Sequence, residues 1–227
     1  MNRLAIVMLL LLTGVSIRAS GQVRWAVDFD LGLPVNVSTP LTLSQNGRQD
    51  DNLLAVWSAE SFIRPYNWMW RIGRWNNGKA WMFETIHHKM VLQNCPDNVQ
   101  WFAITHGFNT LTLDRAWEIK KLILFAGAGA VLAHPESKID QQVFNDKSGL
   151  FKLGYYLTGP VFMTSVARPL KISKGFQINF EGKMTVGYAK VPIVNGTAQL
   201  LHLAFHLNAG LGFSVRGRSA EVKVKQD

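Results

Sequence analysis

From Gly175 to Tyr188 the chain alternates with a two-residue period. Phe176, Ile178, Phe180, Met184, Val186 and Tyr188 fall on one face, and Gln177, Asn179, Glu181, Lys183 and Thr185 on the other. Successive side chains of a β-strand point to opposite faces, so this pattern predicts a strand with one greasy and one polar side. Few soluble strands run so long in one register. Two segments repeat it cleanly. Near the start, Val23, Trp25, Val27, Phe29, Leu31 and Leu33 alternate with Arg24, Ala26, Asp28, Asp30 and Gly32. Near the end, Leu201, Leu203, Phe205, Leu207, Leu211, Phe213 and Val215 alternate with His202, His206, Asn208, Gly210, Gly212 and Ser214. A third, Leu153 to Met163, follows with Phe162 out of phase. Four less regular strands are expected at 66–75, 79–93, 99–110 and 119–134, for eight in all. In 79–93 and 99–110 the pattern does not decide which side faces which way.

The first 21 residues do not belong to this pattern. Arg3 precedes an uncharged apolar run, Leu4 to Leu12, and Ala19-Ser20-Gly21 offers small residues to a signal peptidase. The run is shorter than the roughly 20 residues of a membrane helix, so residues 1–21 are expected to be a cleaved signal peptide. The chain would then begin at Gln22, with its +9 formal charge reduced to about +7 by loss of Arg3 and Arg18. Export makes nucleic acid an unexpected partner despite the basic balance. Cys95 is the single cysteine, so no internal disulfide can staple the fold. A bilayer around a closed sheet would hold it instead.

The connections support closure. With both termini on the periplasmic side, 34–65 and 135–149 are long outer loops. Asn76-Asn77-Gly78 is a tight inner hairpin, and Asn94 to Asn98 is a short outer connection. Inner turns are expected around Asp114-Arg115 and at Pro169 and Lys171, and an outer one at Pro192, Asn195 and Gly196. Asp51 to Ile63 suits either a short amphipathic helix on the membrane surface or a plain loop. Long outer loops, short inner turns and an even strand count characterise transmembrane barrels. Aromatics are expected at two levels, with Trp25, Trp75, Trp81, Phe176 and Phe213 inside and Trp68, Trp101, Tyr155 and Tyr188 outside.

The expected fold is therefore all-β, an eight-stranded antiparallel up-and-down transmembrane β-barrel over 22–215, with 216–227 a periplasmic tail. Its apolar stripes must face hydrocarbon, because a mid-bilayer Arg or Lys would cost about 2–4 kcal/mol. The sparse charges then face the lumen. Eight strands enclose an interior about filled by side chains, which disfavours a wide pore in this porin-like wall.

On these segments the chain resembles the small outer-membrane barrels of Gram-negative bacteria: the OmpA-type membrane domain and the lipid A palmitoyltransferase and deacylase barrels. The resemblance is architectural. It implies the cell outer membrane as location and outer-membrane lipid or lipopolysaccharide as partner. The chain departs from the pattern in ending on a charged tail, Arg216 to Asp227, rather than on an aromatic residue. The deacylase motif H-x-S-N has its nearest counterpart at His106-Gly107-Phe108-Asn109, where phenylalanine replaces the serine nucleophile. Ser165 and Ser61 are open substitutes.

Histidines carry what chemistry remains. His202 and His206 share the polar face, about 13 Å apart along the strand at roughly 3.3 Å per residue. That spacing argues against a shared metal ion, so neither metal nor cofactor is expected. With His88 and His134 they are weak catalytic candidates. His87 and His88 point to opposite faces, and His134-Pro135-Glu136-Ser137 groups an imidazole, an acid and a hydroxyl at the outer rim. Asp28, Asp30, Glu181 and Lys183 are candidates for a lumen network. Two functions follow as expectations: a structural or binding barrel with a filled lumen, or a lipid A-modifying acyl hydrolase or acyltransferase acting at the outer rim.

Overall fold

The computed structural model describes residues 23–144, 148–150 and 152–216. The signal peptide expected at 1–21 and the tail after Arg216 lie outside them. The described chain forms β1 (Arg24–Asn36), β2 (Thr39–Gln45), β3 (Asp51–Ala55), β4 (Trp57–Ser58), β5 (Trp68–Asn76), β6 (Lys79–His87), β7 (Met90–Leu92) and β8 (Val99–Ile104). It continues through β9 (Phe108–Ile119), β10 (Leu122–Ala133), β11 (Glu136–Ile139), β12 (Gln142–Phe144), β13 (Tyr156–Ser173), β14 (Phe176–Ile193) and β15 (Gly196–Arg216).

Eight of these strands make the barrel. β1, β5, β6, β9, β10, β13, β14 and β15 pair antiparallel in that order, and β15 returns to β1 from Arg24↔Arg216 to Asn36↔Ala204. Closure removes the free edges that hydrocarbon does not tolerate. The outer face is apolar. Trp25, Val27, Phe29, Leu31, Leu33 and Val35 of β1 all point outward, as do Phe205, Leu207 and Leu211 of β15. Asp28, Asp30, Glu181, Lys183, His202 and His206 are buried within. The greasy stripe therefore faces out and the ionic stripe faces in. The facing that the pattern leaves open in 79–93 resolves in β6, where Trp81 and Phe83 look out and Met82 and Glu84 look in.

The inner turns are tight. Asn77-Gly78 joins β5 to β6 with positive φ at both residues, 51° and 71°, as the hairpin dipeptide requires. Two other turns differ from expectation. Asp114-Arg115 lies within β9, and that hairpin turns at Lys120-Lys121. Pro169 and Lys171 lie within β13, which turns at Lys174-Gly175. The pair Asp114-Arg115 mimics a turn because its inward member, Asp114, is a polar residue of the lumen. Trp75 also departs from the expected inner girdle: it is buried in the lumen, with the Arg24 guanidinium 4.8 Å from its ring centroid.

The barrel is taller than a bilayer needs. β13 and β14 have 18 residues each and β15 has 21, against about 9–11 for a crossing. Beyond the membrane this tall wall carries a cap. β2 pairs with the outer end of β15, β3 pairs with β2, and a second sheet runs β12-β11-β8-β7-β4. Asp51 to Ile63 thus holds strand β3, the short β4 and a loop, and not a helix. The segment expected as one strand over 99–110 is two, β8 in the cap and β9 in the barrel. The cap packs Leu41, Leu43, Trp57, Phe102 and Ile104 on Val191 and Leu200 of the tall wall, an apolar core over the barrel mouth.

Candidate functional site: the barrel lumen and its outer rim

The lumen is layered. At the periplasmic end Trp75, Met82, Ile123, Phe125 and Met163 form an apolar floor with four alanines. Above it lies an ionic layer built on Arg71. Its Nε stands 3.4 Å from Asp28 Oδ2, its Nη1 3.6 Å from Glu84 Oε2, and its Nη2 donates to Glu181 Oε2. Lys183 Nζ donates to Glu84 Oε1 and lies 3.2 Å from Glu181 Oε1. Asn179 Nδ2 donates to Asp28 Oδ1 at 2.9 Å, and the Arg71 guanidinium lies 3.9 Å from the Phe125 ring centroid. One planar cation with five donors can serve three carboxylates at once, which a lysine at that place could not.

The four predicted network residues, Asp28, Asp30, Glu181 and Lys183, all lie in this layer. Arg71, Glu84 and Asp114 complete it and were not foreseen. The signal for Arg71 was available: on a strand reading Trp68-Met69-Trp70-Arg71-Ile72, a guanidinium at mid-span cannot face lipid. Two buried cations, Arg71 and Lys183, stand among five buried carboxylates, those of Asp28, Asp30, Glu84, Asp114 and Glu181. Among the described residues, Asp30 and Asp114 form no ion pair.

Above the ionic layer sit His88, His202 and His206. The 13 Å spacing along the strand does not keep the two β15 imidazoles apart. Thr185 lies opposite Ala204, midway between them on the neighbouring strand. Its Oγ1 is 2.9 Å from His202 Nε2 and 3.0 Å from His206 Nε2. Both rings lean toward it. His88 enters from the connection after β6, with ring centroids 5.0 Å from His202 and 5.1 Å from His206. Phe108 covers His202 at 4.5 Å. His87 turns the other way, stacked on Trp68 at 5.5 Å and hydrogen-bonded to Asn109.

His134 is remote from this cluster, at the outer rim. Its ring centroid lies 4.9 Å from that of His106 and 5.0 Å from that of Tyr155. Glu136 Oε1 is 3.4 Å from His106 Nδ1 and 4.0 Å from His134 Nε2, while Thr105 Oγ1 donates to Glu136 Oε2 at 2.6 Å. Burial first, and the neighbouring His106 second, hold the His134 imidazole below its ordinary pKa of 6.5. The acyl-transfer reading gains no support here. Ser165 is buried on the lumen face opposite Lys183, Ser61 lies in the loop after β4, and neither hydrogen-bonds an imidazole. The Thr105 hydroxyl proton is committed to Glu136, so it is no free nucleophile.

No protein-family profile matches the chain, and no curated protein is significantly similar to it. Among solved structures, it is similar to the outer membrane protein AlkL determined in DMPC bilayers, at 12% identity over 91% of this chain and 97% of that one, TM-score 0.48. Neisserial surface protein A matches at 9% identity over 83% and 96%, TM-score 0.39. The attachment invasion locus protein Ail of Yersinia pestis matches at 10% identity over 85% and 99%, TM-score 0.37. What this chain shares with these small outer-membrane β-barrels is architecture, at low sequence identity.

Proposed function

We propose that the chain is a closed barrel of the outer membrane whose work is binding at its outer face, not passage through its lumen. One observation supports this reading: buried side chains occupy the lumen at successive heights. An apolar floor, the Arg71 ionic layer and the capped apolar core fill it with buried side chains. A water-filled channel would leave the charges of the middle layer exposed, yet Arg71, Glu84 and Lys183 are shielded from solvent. The apolar outer wall supports residence in a bilayer, and the tall wall and cap supply a surface beyond it.

Lipopolysaccharide or outer-leaflet lipid is the partner this surface suits. The loop before β5 exposes Phe62, Ile63 and Tyr66 beside Arg64, an arrangement that matches acyl chains next to phosphate. Lys89 anchors that loop by donating to the Glu60 and Ile63 carbonyls.

Planar-bilayer recording of the refolded chain tests the reading. It requires no steady conductance in 1 M KCl. Stepwise openings of porin size would overturn it.

A further inference from the structure

The His88, His202 and His206 side chains each present a ring nitrogen, and the three nitrogens lie within 4.8 Å of one another. All three residues are almost completely buried, at 1%, 1% and 3% exposure. Their hydrogen bonding is incomplete. Thr185 has one hydroxyl proton, so it can donate to one of its two imidazole neighbours and must accept from the other. His88 Nε2 and His202 Nδ1 have no hydrogen-bond partner. Buried polar atoms are normally bonded, and two unserved nitrogens in a cluster drawn from two walls of the barrel call for an explanation.

The layer below holds five carboxylates and two cations, and Asp30 and Asp114 are unpaired among the described residues. Lys183, opposite His206 in the sheet, opposes a positive guest, but it is already engaged by Glu84 and Glu181.

We propose that these three imidazoles are a binding site for a divalent transition metal of the zinc–copper class. Neutral imidazole suits that class, whereas magnesium and calcium prefer oxygen ligands. Metal–nitrogen bonds of about 2.1 Å require the rings to close in by about 1 Å, within reach of side-chain rotation. The Thr185 hydroxyl, 2.9 Å from His202 Nε2 and 3.0 Å from His206 Nε2, borders the site. Because His88 follows β6 while His202 and His206 belong to β15, the ion would tie opposite walls together just below the cap. The ion is a ligand here and undergoes no reaction.

The test uses the full chain refolded in detergent without metal and titrated with Co²⁺, then Zn²⁺. The site predicts one saturable equivalent with the visible bands of tetrahedral cobalt, bleached by Zn²⁺. His88→Gln and His202→Gln should each abolish this spectrum while retaining the heat-modifiable gel shift of a folded barrel. His134→Gln should leave it intact, which separates the lumen cluster from the His106–His134–Glu136 group at the rim. Cu²⁺-loaded wild type provides a reading independent of variant folding: its EPR nitrogen splittings should count three imidazoles. No saturable cobalt uptake by the folded wild type, a spectrum lost with His134 alone, or copper bound by two or fewer nitrogens would overturn the proposal.

Discussion

The Asp114 carboxylate lies directly over Gly127 of the neighbouring strand, in the space a β-carbon there would take. The same relationship joins Asp30 to Gly210 and Asp28 to Gly212 across the seam where β1 meets β15. Each short acidic side chain lies flat against a glycine, so the lumen accommodates three carboxylates where larger neighbours would push them together. Gly127→Ala forces Asp114 or the strand to move, and overpacking of this kind costs about 1–3 kcal/mol. Urea unfolding from lipid vesicles, followed by heat-modifiable gel mobility, should show that loss. Gly182, which has open space around its missing β-carbon, should tolerate alanine in the same assay.

Arg71 is the shared cation of the ionic layer, and its removal strands three partners. Arg71→Met keeps the volume and deletes the charge, leaving Asp28, Glu84 and Glu181 with only Lys183 nearby. Breaking a buried pair from one side costs about 3–5 kcal/mol, because the remaining charge is uncompensated. Adding Glu181→Leu should recover part of the loss. A double variant no more stable than Arg71→Met alone would deny the coupling.

The outward stripe makes a depth-dependent prediction. Leu31 sits mid-strand on the outer face of β1, and Val215 lies near the periplasmic end of β15. Leu31→Arg should cost about 2–4 kcal/mol and Val215→Arg about 0–1. Equal penalties in vesicle refolding would mean that this face does not cross a bilayer midplane.

These relationships differ in how far they could be read in advance. The facing of β1, β14 and β15 was legible because each face of those strands is chemically uniform, and hydrocarbon admits one orientation. Asn77-Gly78 was legible because a two-residue hairpin demands positive φ. The cap was not: four of its strands, β4, β7, β11 and β12, have two to four residues, too few to show a period. Asp114 reads as a turn residue because polarity marks turns only where the strand interior is apolar, and this interior is ionic. Parity placed His202 and His206 on one face, but their convergence depends on Thr185 standing opposite Ala204. That register belongs to a pair of strands, and neither strand alone encodes it. The Asp–Gly pairs were hidden for the same reason.

The rim group responds to acid in a direction fixed by its burial. His134 is held below its ordinary pKa of 6.5 first by burial and then by His106, with Glu136 opposing. Above 6.5 the imidazole is neutral whether the rim is closed or open, and closure costs nothing in protonation. As pH falls below 6.5, the opened rim binds a proton that the closed rim resists, so closure weakens until the closed-state pKa is reached. Hydrogen exchange across 134–139, corrected for the intrinsic pH dependence of the amides, should show less protection at pH 5.5 than at 7.5. His134→Gln should flatten that difference. Protection that rises on acidification would mean that the Glu136 attraction outweighs burial, reversing the sign argued here.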